Sequence, residues 1–499
     1  MMTIYNVNLG IGWASSGVEY AQLYRVKALR EIGEVSKFIF LDFINNENIQ
    51  SLTDNLGFFD EEVIWLYQYF TNVKIAPASM STENILEKLE IKISKVINDD
   101  KVNRVYFNDK YYLNLHLDKN KKVQNVEYIY NGNLIKREYY SYTHTLTEYF
   151  FAKDNKAICY MREFYNEDGS TEYVEYIDEE SNMYVFSNLI FYSKHELIEY
   201  FFKSLNLSEK DIILLDRSKD FGQVILENKG KAKLGVVIHA EHFNKNLTNK
   251  HNILWNNYYE YVFNNTKNID FFITATKIQN DVLSNQFYKY YQLYPIIYTI
   301  PVGNLNNLVH SYNRKPYSII SASRLASEKH IDWLLKAVVE AKKTIKNLTF
   351  DIYGEGGQRQ KLEELISINN ANDYIRILGH AKLDEVYKNY ELFLSGSTSE
   401  GFGLSLMEAI GSGLGIIGFN VNYGNPTFIR DGKNGYLIDY NAIRNNENEI
   451  VRKFSEKIIK YFNENISDFQ ETSYTIANKF TRSAISQKWK NIIEEVLND

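Results

Sequence analysis

One cysteine, Cys159, stands among 499 residues, so no intrachain disulfide can form and no cysteine-rich zinc site can be built. A reducing compartment suits such a chain. Positive charge is also short: 56 Lys and Arg against 63 Asp and Glu leave a formal charge of −7. A protein that coats nucleic acid needs clustered cations against phosphate, so that class is set aside. Nor is there a long hydrophobic run. The longest apolar-looking window, Leu404 to Phe419, contains Glu408 and four glycines and is too short to span a bilayer. The N-terminal residues Met1 to Asn8 lack the basic start of a signal peptide. A cytoplasmic location is expected, with peripheral attachment at the inner face of the cell membrane left open. No repeat of about 20–50 residues and no long low-complexity segment is present.

What is present is ordinary globular sequence, 44% hydrophobic and 24% charged, of a length that suggests roughly three structural units. The opening reads as a βαβ unit. Thr3 to Leu9 alternates as a strand, Gly10 to Gly17 forms a glycine-bearing loop, and a helix is predicted from about Val18 to Ile32, stopped by Gly33. Phe38 to Leu41 is an apolar run of the kind a parallel sheet buries. The loop lacks the third glycine of a dinucleotide fingerprint, and no G-x-x-x-x-G-K-[ST] occurs, so NAD enzymes and P-loop NTPases fit poorly.

Between about residues 102 and 192 the pattern changes to short alternating runs separated by turn residues. Asn131-Gly132, between two such runs, is a type I′ hairpin signal. Fifteen of the 40 tyrosines fall in this stretch. An antiparallel β-meander inserted into an α/β domain follows. Its tyrosines serve either as a partner surface or as ordinary packing on a half-buried sheet, and the pattern leaves both readings open. The α/β rhythm then returns, with apolar strands predicted at 211–215, 234–238, 271–274 and 296–302. A second series starts at Ser318–Ala322 and continues through 349–353, 375–378, 392–394 and 415–418. Two doubly wound domains of this kind take ligands at the carboxyl ends of their strands.

The densest chemical signal is Ser399-Glu400-Gly401-Phe402-Gly403-Leu404-Ser405-Leu406-Met407-Glu408-Ala409. Glycines permit close backbone approach, and a helix beginning here presents the N–H groups of about Leu404 to Leu406 to an anion. Glu400 in the loop can accept hydrogen bonds from sugar hydroxyls, and Glu408 in the helix from a ribose. As bare spacing, the same two carboxylates also fit a capped, solvated helix.

This stretch resembles the E-x7-E motif of retaining glycosyltransferases with the GT-B fold, and other segments agree with it. Ser323-Arg324-Leu325-Ala326-Ser327-Glu328-Lys329 is similar to the segment in which an Arg and a Lys clamp a nucleotide-sugar diphosphate. Gly354 to Gly357, Gly379-His380-Ala381 and Asp431 to Tyr436 fall where the same family uses them. Gly17-Val18-Glu19-Tyr20 resembles the start of the N-terminal helix that faces the donor. In His239-Ala240-Glu241-His242, two histidines cannot complete a zinc site, and His242 matches the family's sugar-binding position better than His239.

Nearly the whole chain resembles the catalytic subunits of the O-GlcNAc transferases that start glycosylation of serine-rich-repeat adhesins in Gram-positive bacteria. The resemblance implies two Rossmann-like domains facing a cleft, with the meander inserted in the first. Residues 1–75 and 193–305 would form the acceptor-side domain, 76–192 the meander, 306–485 the nucleotide-sugar domain, and 486–499 a helix packing back toward the first. It implies UDP-N-acetylglucosamine as donor, Ser/Thr hydroxyls of an adhesin as acceptor, retention at the anomeric carbon and no required metal or cofactor. The expected catalytic residues are Arg324, Lys329, Glu400 and His242. UDP would meet Gly17, Val18, Glu19, Tyr20, His380, Ala381 and Glu408, while Gly401, Phe402, Gly403 and Leu404 cradle sugar and phosphate. A homologous stabilising subunit would dock through the meander. A noncatalytic subunit of the same complex, or a transferase acting on lipid or a small molecule, is the alternative. The presence of Arg324, Lys329, Glu400 and Glu408 together argues against the first, and the meander against the second. One departure is Gly413-Leu414-Gly415, where the wider family often carries proline; a slightly different turn is expected.

Overall fold

The computed structural model describes all residues except 1, 12–16, 46, 90, 91, 217, 384, 442–445 and 499. The centre of the expected glycine loop, Gly12 to Ser16, therefore lies outside the described residues. The chain divides into two units, the first formed by Met1–Val26, Glu34–Val236 and Asn257–Ile269, the second by Lys27–Gly33, Val237–Asn256 and Asp270–Asp499.

In the first unit Ile4–Asn8 pairs in parallel with Ser36–Phe40 and with Ile212–Leu215. Val63–Trp65 extends the sheet beyond Ser36–Phe40, and Lys233–Ile238 extends it beyond Ile212–Leu215. Ile4, Val7, Phe38, Ile39 and Phe40 are all buried, as an apolar run in a parallel sheet demands. The crossover helix spans Gly17–Glu31, and Gly33 ends it at a φ of +77°. Val63–Trp65 escapes a reading by alternation because it is three residues long and runs straight into the helix Leu66–Tyr69.

The same unit carries a ten-stranded antiparallel sheet in which each strand pairs with the next, from Lys95–Ile97 to Ile190–Phe191. It starts one strand earlier than the alternation suggests, since Lys95–Ile97 is exposed along its whole length. Asn131 and Gly132 both have positive φ, 49° and 77°, as a type I′ turn requires, and Asp154-Asn155 repeats this at 52° and 56°. The helix Thr82–Glu87 places Ile85 over an apolar cluster that includes Val105, Leu113, Leu115 and Val126.

One row of the sheet is built from charge. Register sets Glu127 opposite Arg137, Arg137 opposite Glu148, Glu148 opposite Arg162 and Arg162 opposite Glu175. The guanidinium of Arg162 lies 3.0 Å from Glu148 and 2.9 Å from Glu175, and stacks on Phe43 at 3.6 Å. Glu148 and Glu175 are 2% and 0% exposed, so this end of the ladder lies inside the unit, while Glu127 and Arg137 are partly exposed. The tyrosines divide between buried and exposed positions. Tyr128 and Tyr140 are buried and donate to Glu138, and Tyr139 donates to Glu148. Phe151, Ile158, Tyr160 and Tyr176, on three adjacent strands, are exposed.

The second unit holds a six-stranded parallel sheet in the order Ile375–Gly379, Thr349–Tyr353, Ser318–Ala322, Leu392–Ser395, Gly415–Phe419 and Gly435–Ile438. Successive residues alternate between two cores. Ile319, Phe350 and Ile417 pack with the helices Ile331–Lys342 and Glu447–Phe462. Ile320, Phe393 and Ile416 pack with Leu406, Met407 and Ile410 of the helix Leu404–Gly411. At Gly415, beside the departure from the family's proline, the N–H donates to Glu391 O at 3.1 Å, a bond proline could not make. The last helix, Arg482–Asn498, begins before residue 486, and Ser486 hydrogen-bonds Glu31 at 3.0 Å.

Candidate active site

Strand order in the six-stranded sheet reverses between Ser318–Ala322 and Leu392–Ser395. The crevice outside the carboxyl ends of two such strands is where an open α/β sheet takes its ligand. The loops leaving these two strands carry the predicted cations and the predicted glutamate. Lys329 Nζ lies 2.8 Å from Glu400 Oε2 and 3.1 Å from Ser397 Oγ. An ion pair thus joins the two loops, with 19% of the Lys329 side chain and 21% of the Glu400 side chain exposed. Arg324 is placed differently. Its side chain is 77% exposed and pairs with Glu328 at 3.1 Å, four residues along the chain.

Beyond Glu400 the backbone forms a cradle. A Cβ at Gly401 would lie 2.9 Å from the carbonyl oxygen of His239, closer than a side chain tolerates. Gly403 takes a φ of +89° and starts the helix Leu404–Gly411 with no side-chain cap. The N–H of Leu406 donates back to Gly403 O at 3.0 Å, so Leu404 and Ser405 offer the N–H groups of the first turn, one residue fewer than expected. Phe402 enters as backbone only, because its ring is 4% exposed and packs against Phe428 and Phe480. Glu408 sits half-buried on the same helix, where Tyr387 Oη lies 3.4 Å from its carboxylate. His380 is exposed just past Ile375–Gly379, with Ala381 half-buried beside it.

The segment His239–His242 follows Lys233–Ile238 and belongs to the second unit. His242 is 0% exposed; Nε2 lies 2.8 Å from Gln286 Oε1 and Nδ1 lies 3.3 Å from Tyr423 Oη. Burial pulls its pKa down to about 4 against the opposing hydrogen bond to Gln286 Oε1, so the ring is neutral. His239 is half-buried. Tyr423 Oη donates to Glu241 Oε1. Burial raises the Glu241 carboxyl, and the Tyr423 hydrogen bond opposes that rise. Glu241, Gln286, Ser397 and Tyr423 were absent from the sequence reading as site residues, and no spacing rule points to them. In the first unit, Gly17 opens the helix Gly17–Glu31; Val18 and Glu19 are buried and Tyr20 is 43% exposed. Among the described residues no group of three or more His, Cys, Asp or Glu side chains could hold a metal, and no helix is long and apolar enough to cross a membrane.

A lysine–carboxylate pair at a topological switch point, next to open N–H groups, suits an anionic ligand with hydroxyls. The sequence profile of the glycosyl transferases group 1 family matches residues 309–466, the part that holds this pair, and the fold is that of a GT-B glycosyltransferase. A second profile, the GtfA extended beta-sheet domain, matches residues 95–188. The GtfA subunit of the UDP-N-acetylglucosamine–peptide N-acetylglucosaminyltransferase of Streptococcus pneumoniae serotype 4 is 51% identical, over 100% of both chains. The corresponding subunit of Streptococcus agalactiae is 49% identical over 100% of this chain and 99% of its own. Among solved structures, pneumococcal O-GlcNAc transferase GtfA in complex with UDP and GlcNAc superposes with a TM-score of 0.93 at 50% identity, covering 100% of this chain and 99% of that one. A GtfA/B complex gives 0.95 at 47% identity over 100% of both chains. The chain belongs to the GtfA-subunit family of UDP-N-acetylglucosamine–peptide N-acetylglucosaminyltransferases.

Proposed function

We propose that this protein transfers N-acetylglucosamine from UDP-N-acetylglucosamine to Ser/Thr hydroxyls of a serine-rich-repeat adhesin, with retention at the anomeric carbon. The observation that carries the reading is the Lys329–Glu400 pair, 2.8 Å apart at the switch point and beside the open N–H groups of Leu404 and Ser405. Lys329 and Arg324 take the diphosphate, Glu400 addresses the sugar ring, and Glu408 the ribose. The bond from the anomeric carbon to the diphosphate breaks while the acceptor oxygen bonds on the same face, and the acceptor proton passes to the departing phosphate oxygen. The protein's contribution is positioning and stabilisation of the charge on the leaving group. His380 and Ala381 lie along the nucleotide, and Gly17, Val18, Glu19 and Tyr20 are assigned to UDP by the same family resemblance.

Residues 1–75 and 193–305 would then form the acceptor-side domain, 306–485 the donor domain, and 76–192 the docking domain for a homologous stabilising subunit. The exposed Phe151, Ile158, Tyr160 and Tyr176 support that docking role, since aromatic and aliphatic anchors on a rigid sheet supply most of an interface's affinity. The reaction would take place in the cytoplasm, and peripheral attachment at the inner face of the membrane stays open. Mass spectrometry of a Ser/Thr-rich peptide incubated with each UDP-sugar, with and without the partner, tests the reading. A HexNAc mass increment with UDP-N-acetylglucosamine is expected. No increment under any of these conditions would overturn it.

A further inference from the structure

The residue that ties this site together lies outside the motifs. Tyr423 donates its N–H to Glu400 O at 2.7 Å, Gly424 donates to the same oxygen at 2.8 Å, and Glu400 N–H donates to Asn422 O at 3.3 Å. The backbone of Glu400 is therefore held from both sides by one short segment. The phenol of Tyr423 is 1% exposed. It donates to Glu241, faces His242 Nδ1 at 3.3 Å, and stacks on the His242 ring with centroids 5.8 Å apart. His242 is in turn anchored to Gln286 at 2.8 Å. A third contact closes the arrangement, since the backbone of Gly401 approaches His239 O too closely for any side chain. The Glu241 side chain stays 37% exposed, so this brace reaches the edge of the site.

We propose that Tyr423 is a positioning residue for transfer, fixing Glu400 through its backbone and the loop His239–His242 through its hydroxyl. The proposal rests on the assignment of Glu400 to the sugar. A bond from a hydroxyl to a carboxylate is stronger than a neutral one, and inside a buried network it holds one geometry rather than several. Misplacing a reacting group by about 1 Å can cost about a hundredfold in rate.

Tyr423→Phe removes one oxygen and keeps the ring. It should lower kcat for glycosyl transfer by about tenfold to a hundredfold while leaving KM for UDP-N-acetylglucosamine and the Kd for UDP within about threefold. Glu241→Leu should behave alike. Glu241→Gln, whose amide oxygen still accepts from the phenol, should recover at least about tenfold over Glu241→Leu. Because the pair acts as a unit, the double variant Tyr423→Phe/Glu241→Leu should be no slower than the slower single variant. A Tyr423→Phe enzyme with kcat within twofold of the wild type, or one that loses UDP affinity and kcat in parallel, overturns the proposal. Should Tyr423→Phe fail to fold, Glu241→Leu and Glu241→Gln decide the matter alone: equal kcat in both overturns it. Glu400→Gln is measured alongside. Loss of transfer in Glu400→Gln with normal Tyr423→Phe refutes the brace alone, whereas unchanged transfer in Glu400→Gln removes the sugar assignment and the brace together.

Discussion

Lys329→Ala is the sharpest perturbation of the site, because Lys329 is paired with Glu400 and the proposed function gives it the diphosphate as a second partner. In the free protein its ammonium is 2.8 Å from Glu400, a gross attraction of about 6 kcal/mol at an effective dielectric of about 20. Most of that is offset by desolvation, so the pair contributes on the order of 1 kcal/mol to the resting structure. The larger effect belongs to the transition state. As the diphosphate departs it gains charge, and removing one preorganised cation there costs about a hundredfold to a thousandfold in kcat, or roughly 3–4 kcal/mol. Lys329→Ala should therefore melt close to the wild type and still turn over at least about a hundredfold more slowly. The double variant Lys329→Ala/Glu400→Gln should depart from additivity by about 1–3 kcal/mol, because the two side chains touch. UDP release in the presence of acceptor peptide, checked by mass spectrometry of the peptide, reads both quantities. A kcat within threefold of the wild type refutes the clamp. Strict additivity refutes the coupling, and with it the idea that the ion pair organises the site.

Four further outcomes are expected. Glu400→Gln should damage transfer more than UDP binding, and Glu408→Ala should weaken UDP itself; equal loss of UDP affinity by calorimetry would mean the roles are wrongly divided. Arg162→Met leaves Glu148 and Glu175 buried without their shared cation, at a cost of about 3–5 kcal/mol; hydrogen exchange in the meander should accelerate accordingly, and unchanged protection would show that the ladder contributes nothing. Phe151→Asp or Ile158→Asp should impair co-elution with the partner subunit while UDP binding persists; undiminished co-elution would place the interface elsewhere. The fourth concerns His242, whose pKa of about 4 lies below the value of about 6.5 expected when unfolded. A base depressed on folding is penalised as it protonates, so its contribution is intact above about pH 6.5 and falls by about 1.4 kcal/mol per unit down to about pH 4. Thermal melts between pH 7 and 4.5 should slope less in His242→Gln than in the wild type, and equal slopes would contradict a neutral buried ring.

Much of the scaffold was legible because it follows local rules. Ile319 and Ile320 are adjacent apolar residues facing opposite cores, and only a strand buried on both sides uses such a run. Asn131-Gly132 needs two positive φ values, so the hairpin could be read from two letters. Polar alternation in the meander was less informative. It ordinarily marks a solvent face, yet Glu148 and Glu175 are buried, because Arg162 bridges them, Arg137 lies 3.5 Å from Glu148, and Phe43 covers Arg162. Alternation reports which residues share a face, and register decides whether opposite charges on that face can be covered.

The site divides along the same line. Lys329 and Glu400 lie in loops leaving neighbouring strands, where chain direction brings side chains to the crevice, and their motifs, like those of Arg324 and Glu408, could be picked out by their likeness to family segments. Tyr423 and Glu241 lie 182 positions apart, and their contact exists only once a loop from one strand meets a loop from another. In a chain with 40 tyrosines, one more between Asn422 and Gly424 carries no signal of its own. Nor could composition tell that His242 would face inward: a histidine beside a cleft-forming strand is equally compatible with touching the sugar and with holding the group that does. The burial of its ring, with Gln286 on one nitrogen and Tyr423 by the other, emerges only in the folded chain. Groups at strand ends can be found by position. Groups that hold those groups are selected by packing, and only the folded chain identifies them.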